Sequence, residues 1–314
     1  MHGLRAGSRV TIAAVRKSDI TPELVARLVA EQFPEWADLP VRRVDVDGVD
    51  NTTFRLGETM SVRLPSSEWY RDQTEKEQRW LPVLAAQLPL PVPAPIAMGE
   101  PADDYPMPWS VNRWIDGDTV TPENVADLAQ FASAVAGFLT ALYKIDPAGG
   151  PQPGQHSCFR GAPLTVYDSE TRDSLAALEG HIDTRIAADV WRAALHADWQ
   201  GPPVWFHGDI APGNLLVTGG QLSAVIDFGC CGVGDPACDT VTAWTFFSGE
   251  SRRTFMEKLP VDDATWARGR GWAIWKAMKV LVGALQDDPE DVIETTRVIE
   301  EVMADHMLAA SASR

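Results

Sequence analysis

Four polar side chains in one short stretch carry most of the chemical potential of this 314-residue chain. Phe206-His207-Gly208-Asp209 is followed by Asn214, five positions after Asp209, and by Asp227-Phe228-Gly229 after a hairpin-like insert. A carboxylate, an amide and a second carboxylate in that order suit phosphoryl transfer from Mg-ATP. The first carboxylate orients the attacking hydroxyl and accepts its proton, and the other two groups hold the metal ions that bridge the phosphates. Asp209 is therefore the candidate catalytic base, and Asn214 and Asp227 are the candidate Mg²⁺ ligands.

A bare His-Gly-Asp tripeptide is more often a polar turn. The compound pattern is more specific, because apolar strand-like segments (Val204-Trp205-Phe206 and Ser223-Ala224-Val225-Ile226) flank a loop broken by Pro212-Gly213. His207 reads as a structural residue that fixes the loop by hydrogen bonds. Asp235 precedes Pro236 as a helix N-cap would, and Asp239 falls in the first turn, where a carboxylate suits the helix dipole. Both read as structural, with bracing of the catalytic loop as the alternative.

Upstream, Arg63 alternates with Val62 and Leu64 and so points to the other face of a strand, as a cation for the nucleotide phosphates would. Lys17 and Lys76 are the only lysines before residue 112, and neither lies on a predicted strand. Glu77 shares a helix face with Trp80, Leu81 and Leu84, where an acid needs a partner; Arg63 is the candidate, with Glu75 the weaker choice of acid. The turn Asp47-Gly48-Val49-Asp50-Asn51 could cover the phosphates through backbone N–H groups, which brings Asn51 into the site. The cluster Arg268-Gly269-Arg270-Gly271-Trp272-Ala273-Ile274-Trp275-Lys276 reads as a helix with Trp and Ile inward and its cations in solvent. Its alternative is a wall of the acceptor pocket.

The elements expected to position these residues begin with a helix capped by Ser18 or Thr21 and running to about Phe33. Strands follow over Val41 to Val46, Thr52 to Leu56 and Thr59 to Leu64, with turns at Gly48 and Gly57. A helix from about Tyr70 to Gln87 is disturbed by Pro82. The prolines at 89, 91, 93 and 95 make an extended connector, and Trp109 to Ile115 is a further strand before the Asp116-Gly117-Asp118 turn. Helical periodicity then covers about Pro122 to Lys144, Ser169 to Trp199, Ala237 to Phe247, Asp262 to Leu285 and Asp288 to Ala309, with a Pro/Gly-rich loop from Pro147 to Pro163. Strands first and helices later indicate an α+β chain of two lobes, residues 1–111 and 118–314, with residues 112–117 as the join.

A net charge of -17 argues against nucleic acid or an anionic membrane surface as partner, and is compatible with a cationic substrate. The four cysteines show neither a disulfide framework nor metal-binding spacing, which suggests free thiols in a reducing compartment. The apolar run Val10 to Val15, near Arg5 and Arg9, is too short for a signal-peptide core, and Leu128 to Tyr143 falls short of a membrane span. The expected location is cytoplasmic. Oligomeric state is not readable.

The block HGDIAPGN…IDFG…GDPACD resembles the aminoglycoside phosphotransferase family, over nearly the whole chain from Asp47 to the last helices. The resemblance implies a bilobal protein-kinase-like fold, with a small β-sheet N-lobe and a larger, mainly helical C-lobe. It implies ATP (or GTP) and Mg²⁺ as cofactors, Asp209 as base, Asn214 and Asp227 as metal ligands and Arg63–Glu77 as the phosphate-binding pair. It also implies a hinge at Asn112 to Ile115, where the backbone of Arg113 and Ile115 meets adenine. The acceptor would be a hydroxyl of an aminoglycoside or related antibiotic. An amino alcohol, sugar or nucleoside is the metabolic alternative, and a silent nucleotide-binding protein the non-enzymatic one. Two departures stand out: Arg63 replaces the usual lysine, and the loop segment Ile210-Ala211-Pro212-Gly213 carries no acid. A protein kinase fits poorly, since no Ala-Pro-Glu motif follows Asp227-Phe228-Gly229 and Asp235 arrives almost at once.

Overall fold

Thr21 starts the first helix of the computed structural model, which describes residues 16–44, 48, 50–285 and 289–312. Its hydroxyl accepts the Leu24 N–H, Pro22 takes the first helical position, and α1 runs Pro22–Gln32 with Val25, Leu28 and Val29 buried. The chain divides into two units, one of Met1–Gln78 with Pro95–Trp114 and one of Arg79–Ala94 with Ile115–Arg314.

In the first unit, β1 (Val41–Arg43), β2 (Asn51–Leu56) and β3 (Met60–Pro65) form a meander. Helix α2 (Arg71–Ala85) begins in this unit and ends in the other, with Pro82 inside it. Strands β4 (Pro95–Gly99) and β5 (Trp109–Arg113) complete a five-stranded antiparallel sheet in the order β1-β2-β3-β5-β4. Phe54, Leu56, Val62, Leu64, Trp109 and Val111 pack with Val25 and Leu28 into one apolar core, as the period-two alternation requires. The expected connector therefore holds a strand at its end: Pro95 pairs opposite Asn112 on β4, an edge strand, where a proline costs no ladder hydrogen bond. Strand β1 is described only to Arg43. Residues 45–47 and 49, with most of the phosphate-covering turn, lie outside the described residues, as do residues 1–15 and Asp288.

The second unit is mainly helical. A two-residue strand, β6 (Asp118–Thr119), precedes α3 (Leu128–Tyr143), whose start is set by Asp127 accepting the N–H groups of Ala129 and Gln130. The helix therefore begins six residues later than the apolar pattern from Pro122 suggests. The single helix expected over Ser169 to Trp199 is two: α4 (Asp168–Ala177) and α5 (Thr184–His196), interrupted at Gly180 and restarted by the Asp183 cap. Strand β7 (Val204–Phe206) leads into the loop of Asp209. The hairpin β8 (Leu215–Thr218) and β9 (Gln221–Val225) turns at Gly219-Gly220, and β10 (Gly232–Gly234) pairs back with β7.

After β10, where a helix from Ala237 is expected, a 3-10 segment at Pro236–Val241 precedes the short α6 (Thr242–Thr245). The last helices are α7 (Gly249–Lys258), α8 (Asp263–Ala284) and α9 (Pro289–Ala312). Helix α8 is buried along most of its length because it lies against the 3-10 segment, α5 and α9. A Cβ on Gly269 would fall 1.9 Å from Thr240 Oγ1, so only glycine permits that approach. Among the described residues no helix is long and apolar enough to cross a membrane.

Candidate active site

The loop between β7 and β8 is fixed mainly through its backbone. Gly208 has φ of 85°, and a Cβ there would meet the Cys230 carbonyl at 2.6 Å, so the tight approach is open only to glycine. The backbone N–H of His207 donates to Asp239 Oδ2 (3.0 Å) and that of Gly208 to Asp239 Oδ1 (2.6 Å). The fully buried His207 ring receives the Asp209 N–H at Nδ1 (3.2 Å), and its Nε2 faces the Ile226 carbonyl (3.1 Å). A carbonyl can only accept, so Nε2 carries the proton and the imidazole is neutral in this arrangement. Asp239 thus braces the loop rather than merely serving a helix dipole. Burial pushes its carboxyl up to about 7, against the lowering effect of the Gly208 and His207 N–H bonds.

Asp209 keeps about a third of its side chain in solvent (32%). Asn214 Nδ2 donates to Asp209 Oδ2 (3.0 Å) and to its carbonyl (2.9 Å), and Lys276 Nζ on α8 pairs with Oδ1 (3.1 Å). The dense surroundings press the carboxyl upward. The Lys276 ammonium, with the Arg160 guanidinium next, outweighs that and holds it below the usual carboxylate range. Arg160 donates from Nε to the Gly208 carbonyl (3.1 Å), and its guanidinium carbon lies 5.2 Å and 5.0 Å from the Trp272 and Trp275 rings. An ionised, partly exposed carboxylate on a fixed loop can orient a hydroxyl and accept its proton.

Ile226 donates its N–H to the Asn214 carbonyl (2.9 Å), which brings Asn214 beside the residue preceding Asp227. Because both groups facing Asn214 Nδ2 are acceptors, the amide nitrogen must be turned toward Asp209, which leaves its oxygen as the donor atom for a metal. Asp227 adopts a left-handed backbone (φ 63°), and its Oδ1 accepts the Gly229 N–H (3.3 Å). One amide oxygen and one carboxylate form a sparse set of hard donors. That set fits Mg²⁺, which keeps waters and phosphates in its remaining positions.

In the first unit, Arg63 Nη1 pairs with Glu77 Oε1 (3.2 Å), and both side chains are nearly buried; Glu75 is exposed. Asn51 opens β2 opposite Pro65, and Arg113 closes β5 opposite Met60 with its side chain exposed. The Trp114 N–H donates to the Thr59 carbonyl (2.8 Å), and Ile115, half-buried, is the first residue of the following unit segment. The structure thus joins Arg63 with Glu77, and Asp209 with Asn214 and the Asp227 turn.

Two residues at Asp209 escape the motif reading. Lys276, exposed as the cations of its cluster are expected to be, still reaches Asp209, and Arg160 comes from the Pro/Gly-rich loop. Arg268 and Arg270 of the same cluster are buried, against that expectation, because each pairs with an acid, Asp235 and Asp305. Asp235 does cap the 3-10 segment, accepting the Ala237 N–H (3.0 Å), and also takes a two-pronged buried ion pair from Arg268 (2.6 and 3.2 Å). The four cysteines are free thiols.

A five-stranded antiparallel sheet, a helical second unit, and a braced Asp209–Asn214–Asp227 loop define a kinase-type phosphotransferase. The phosphotransferase enzyme family model matches residues 41–272, and the chain belongs to that family. A curated relative, hygromycin-B 4-O-kinase of Escherichia coli, is 21% identical over 93% of this chain and 96% of its own. The GDP complex of aminoglycoside 2'-phosphotransferase-IIIa shares the fold with a TM-score of 0.67 and 19% identity, covering 91% of this chain and all of that one. Macrolide 2'-phosphotransferase type I does so at 0.58 and 17%, covering 90% and 95%.

Proposed function

We propose that this phosphotransferase moves the γ-phosphoryl group of ATP or GTP to a hydroxyl of an aminoglycoside or related antibiotic. The observation that carries the reading is the Asp209 carboxylate, ionised and partly exposed between Asn214 and Lys276 on a loop pinned by Asp239. The names of the relatives, which act on hygromycin, aminoglycosides and macrolides, support the acceptor class.

Asp209 orients the acceptor hydroxyl and takes its proton as the new bond from its oxygen to the γ-phosphorus forms and the bond to the β,γ-bridging oxygen breaks, with the nucleoside diphosphate leaving. Asn214 and Asp227 would hold Mg²⁺, which when bound would neutralise phosphate charge. Arg63, held by Glu77, supplies a second, organic cation to the phosphates through a planar fork. Residues 112–117 serve as the connector, with the Arg113 and Ile115 backbone receiving the nucleotide base and Asn51 near the phosphates.

The test is mass spectrometry of pooled aminoglycosides, macrolides, peptide antibiotics and hydroxylated metabolites incubated with the protein, Mg²⁺ and ATP or GTP. One compound gaining a single phosphoryl group, and not with Asp209→Ala, is the expected result. Phosphorylation of a sugar, amino alcohol or nucleoside alone would replace the antibiotic reading with the metabolic one. Nucleotide binding without transfer to any compound would favour a silent binder.

A further inference from the structure

Asp209 is flanked by cations of the chain itself, Lys276 and Arg160, although the whole chain carries a net charge of -17. On α8, Lys276 pairs with Asp209 Oδ1 (3.1 Å), and Lys279, almost one turn further, pairs with Glu170 Oε1 on α4 (2.7 Å). Glu170 Oε2 also accepts the Trp275 Nε1–H (2.7 Å). Arg160 lies over Trp272 and Trp275, and its buried Nη1 has no hydrogen-bond partner among the described residues. Asp209 and Glu170 therefore each already face a lysine of the chain itself, while Asp239 is taken up by the loop backbone and Asp227 by the turn assigned to the metal. The residues between Asp209 and Asn214 add no acid. The Lys276 and Lys279 side chains remain 46% and 54% exposed, so their ammonium groups lie at the solvent edge of this cluster.

A site that accepts an ammonium beside the reacting hydroxyl needs a carboxylate to spare for it. Here an incoming ammonium must displace Lys276 from Asp209 or settle a few ångströms from it, and either arrangement is electrostatically unfavourable. A neutral or anionic neighbour of the hydroxyl meets no such repulsion. We infer that Lys276 is a specificity-determining residue of the acceptor site, selecting hydroxyls flanked by neutral or anionic groups over hydroxyls flanked by an ammonium. The inference rests on the reading of Asp209 as the group that receives the acceptor hydroxyl. Within an antibiotic it directs transfer to an uncharged part of the molecule, through a repulsive element against the alternatives.

The test uses probes that differ in charge and share their hydroxyls: kanamycin and hygromycin B, each beside its fully N-acetylated form. Affinity of the nucleotide-free protein is measured by calorimetry, and transfer from Mg-ATP by mass spectrometry, for the wild type, Lys276→Arg, Lys276→Met and Lys276→Glu. The wild type and Lys276→Arg should favour the acetylated member. Lys276→Met should shrink that preference about tenfold, and Lys276→Glu should shrink it further or invert it. Comparing variants on one pair cancels the added bulk of the acetyl groups. Unchanged thermal stability and nucleotide affinity show that the variants are folded. The inference is overturned if the wild type prefers the free amine, if Lys276→Glu leaves the ratio where the wild type has it, or if no probe binds. A ratio that shifts in binding while nothing is phosphorylated supports the charge selection and counts instead against the phosphotransferase reading.

Discussion

Asp209 and Asp239 serve the same loop under opposite conditions. Asp209 is partly exposed, touches a lysine and an asparagine side chain, and is held below the usual carboxylate range. Asp239 is fully buried, accepts two backbone N–H groups, and is pushed up to about 7. The same contrast recurs between ion pairs. Lys276–Asp209 stands in solvent, whereas the Arg268 and Asp235 side chains are only 6% and 7% exposed. The carboxylate proposed to meet a reactant is left reachable and kept ionised by neighbouring charge. A carboxylate that must hold backbone in place is buried and saturated with donors.

Removing one partner from each ion pair is the strongest way to break this contrast. Arg268→Ala strands a buried carboxylate and frees the Ala197 carbonyl and Thr265 hydroxyl that Arg268 also engages, and should cost about 4 kcal/mol of stability. Lys276→Ala should cost less than about 1 kcal/mol, since exposed pairs contribute little. Denaturant unfolding of both variants measures this, and equal losses would erase the distinction.

Asp239→Ala leaves the His207 and Gly208 N–H groups without their acceptor and should cost about 3 kcal/mol by the same measurement. The pH dependence sharpens the point. Because the folded state holds the Asp239 proton more tightly than the unfolded chain does, this group's stabilisation is complete below the ordinary carboxylate value of 3.8. It is lost as pH rises to about 7. Carboxylates held low, such as Asp209 and Asp262, act in the opposite sense, so the stability of the wild type must be compared with that of Asp239→Asn at each pH. The wild-type advantage should fall by on the order of 3 kcal/mol between acid and neutral pH. A flat difference would contradict the burial argument.

The smallest effect expected is at the start of α8. Asp262 accepts the Thr265 N–H (2.7 Å), and Asp262→Ala should cost about 1 kcal/mol as a lost cap. Turnover should stay intact, because Asp262 holds only the helix end.

The loop residues were legible in sequence because their spacing is local: Asp209, Asn214 and Asp227 lie within 19 positions and flank one hairpin. The Arg63–Glu77 pair could also be inferred, since strand alternation and helix periodicity each turn one charge inward. Lys276 and Arg160 could not be inferred. They lie 67 and 49 positions from Asp209, and nothing local separates a lysine that reaches across from one in solvent. The break at Gly180 was visible as a glycine but was overridden by continuous apolar periodicity on both sides. The late start of α3 follows from Asp127, whose capping bonds outweigh the apolar residues before it. The strand β4 was masked by prolines, which an edge position tolerates.

The central claim is that Asp209 acts on the acceptor hydroxyl and leaves nucleotide binding to other residues. It is tested most directly by measuring Mg-nucleotide affinity and phosphoryl transfer on one preparation of Asp209→Ala, with the first acceptor that the mass-spectrometric panel identifies. The account predicts a loss in kcat of about a thousandfold or more, with nucleotide affinity within about threefold of the wild type. Transfer at near wild-type rate, or loss of nucleotide binding in a folded variant, would contradict it.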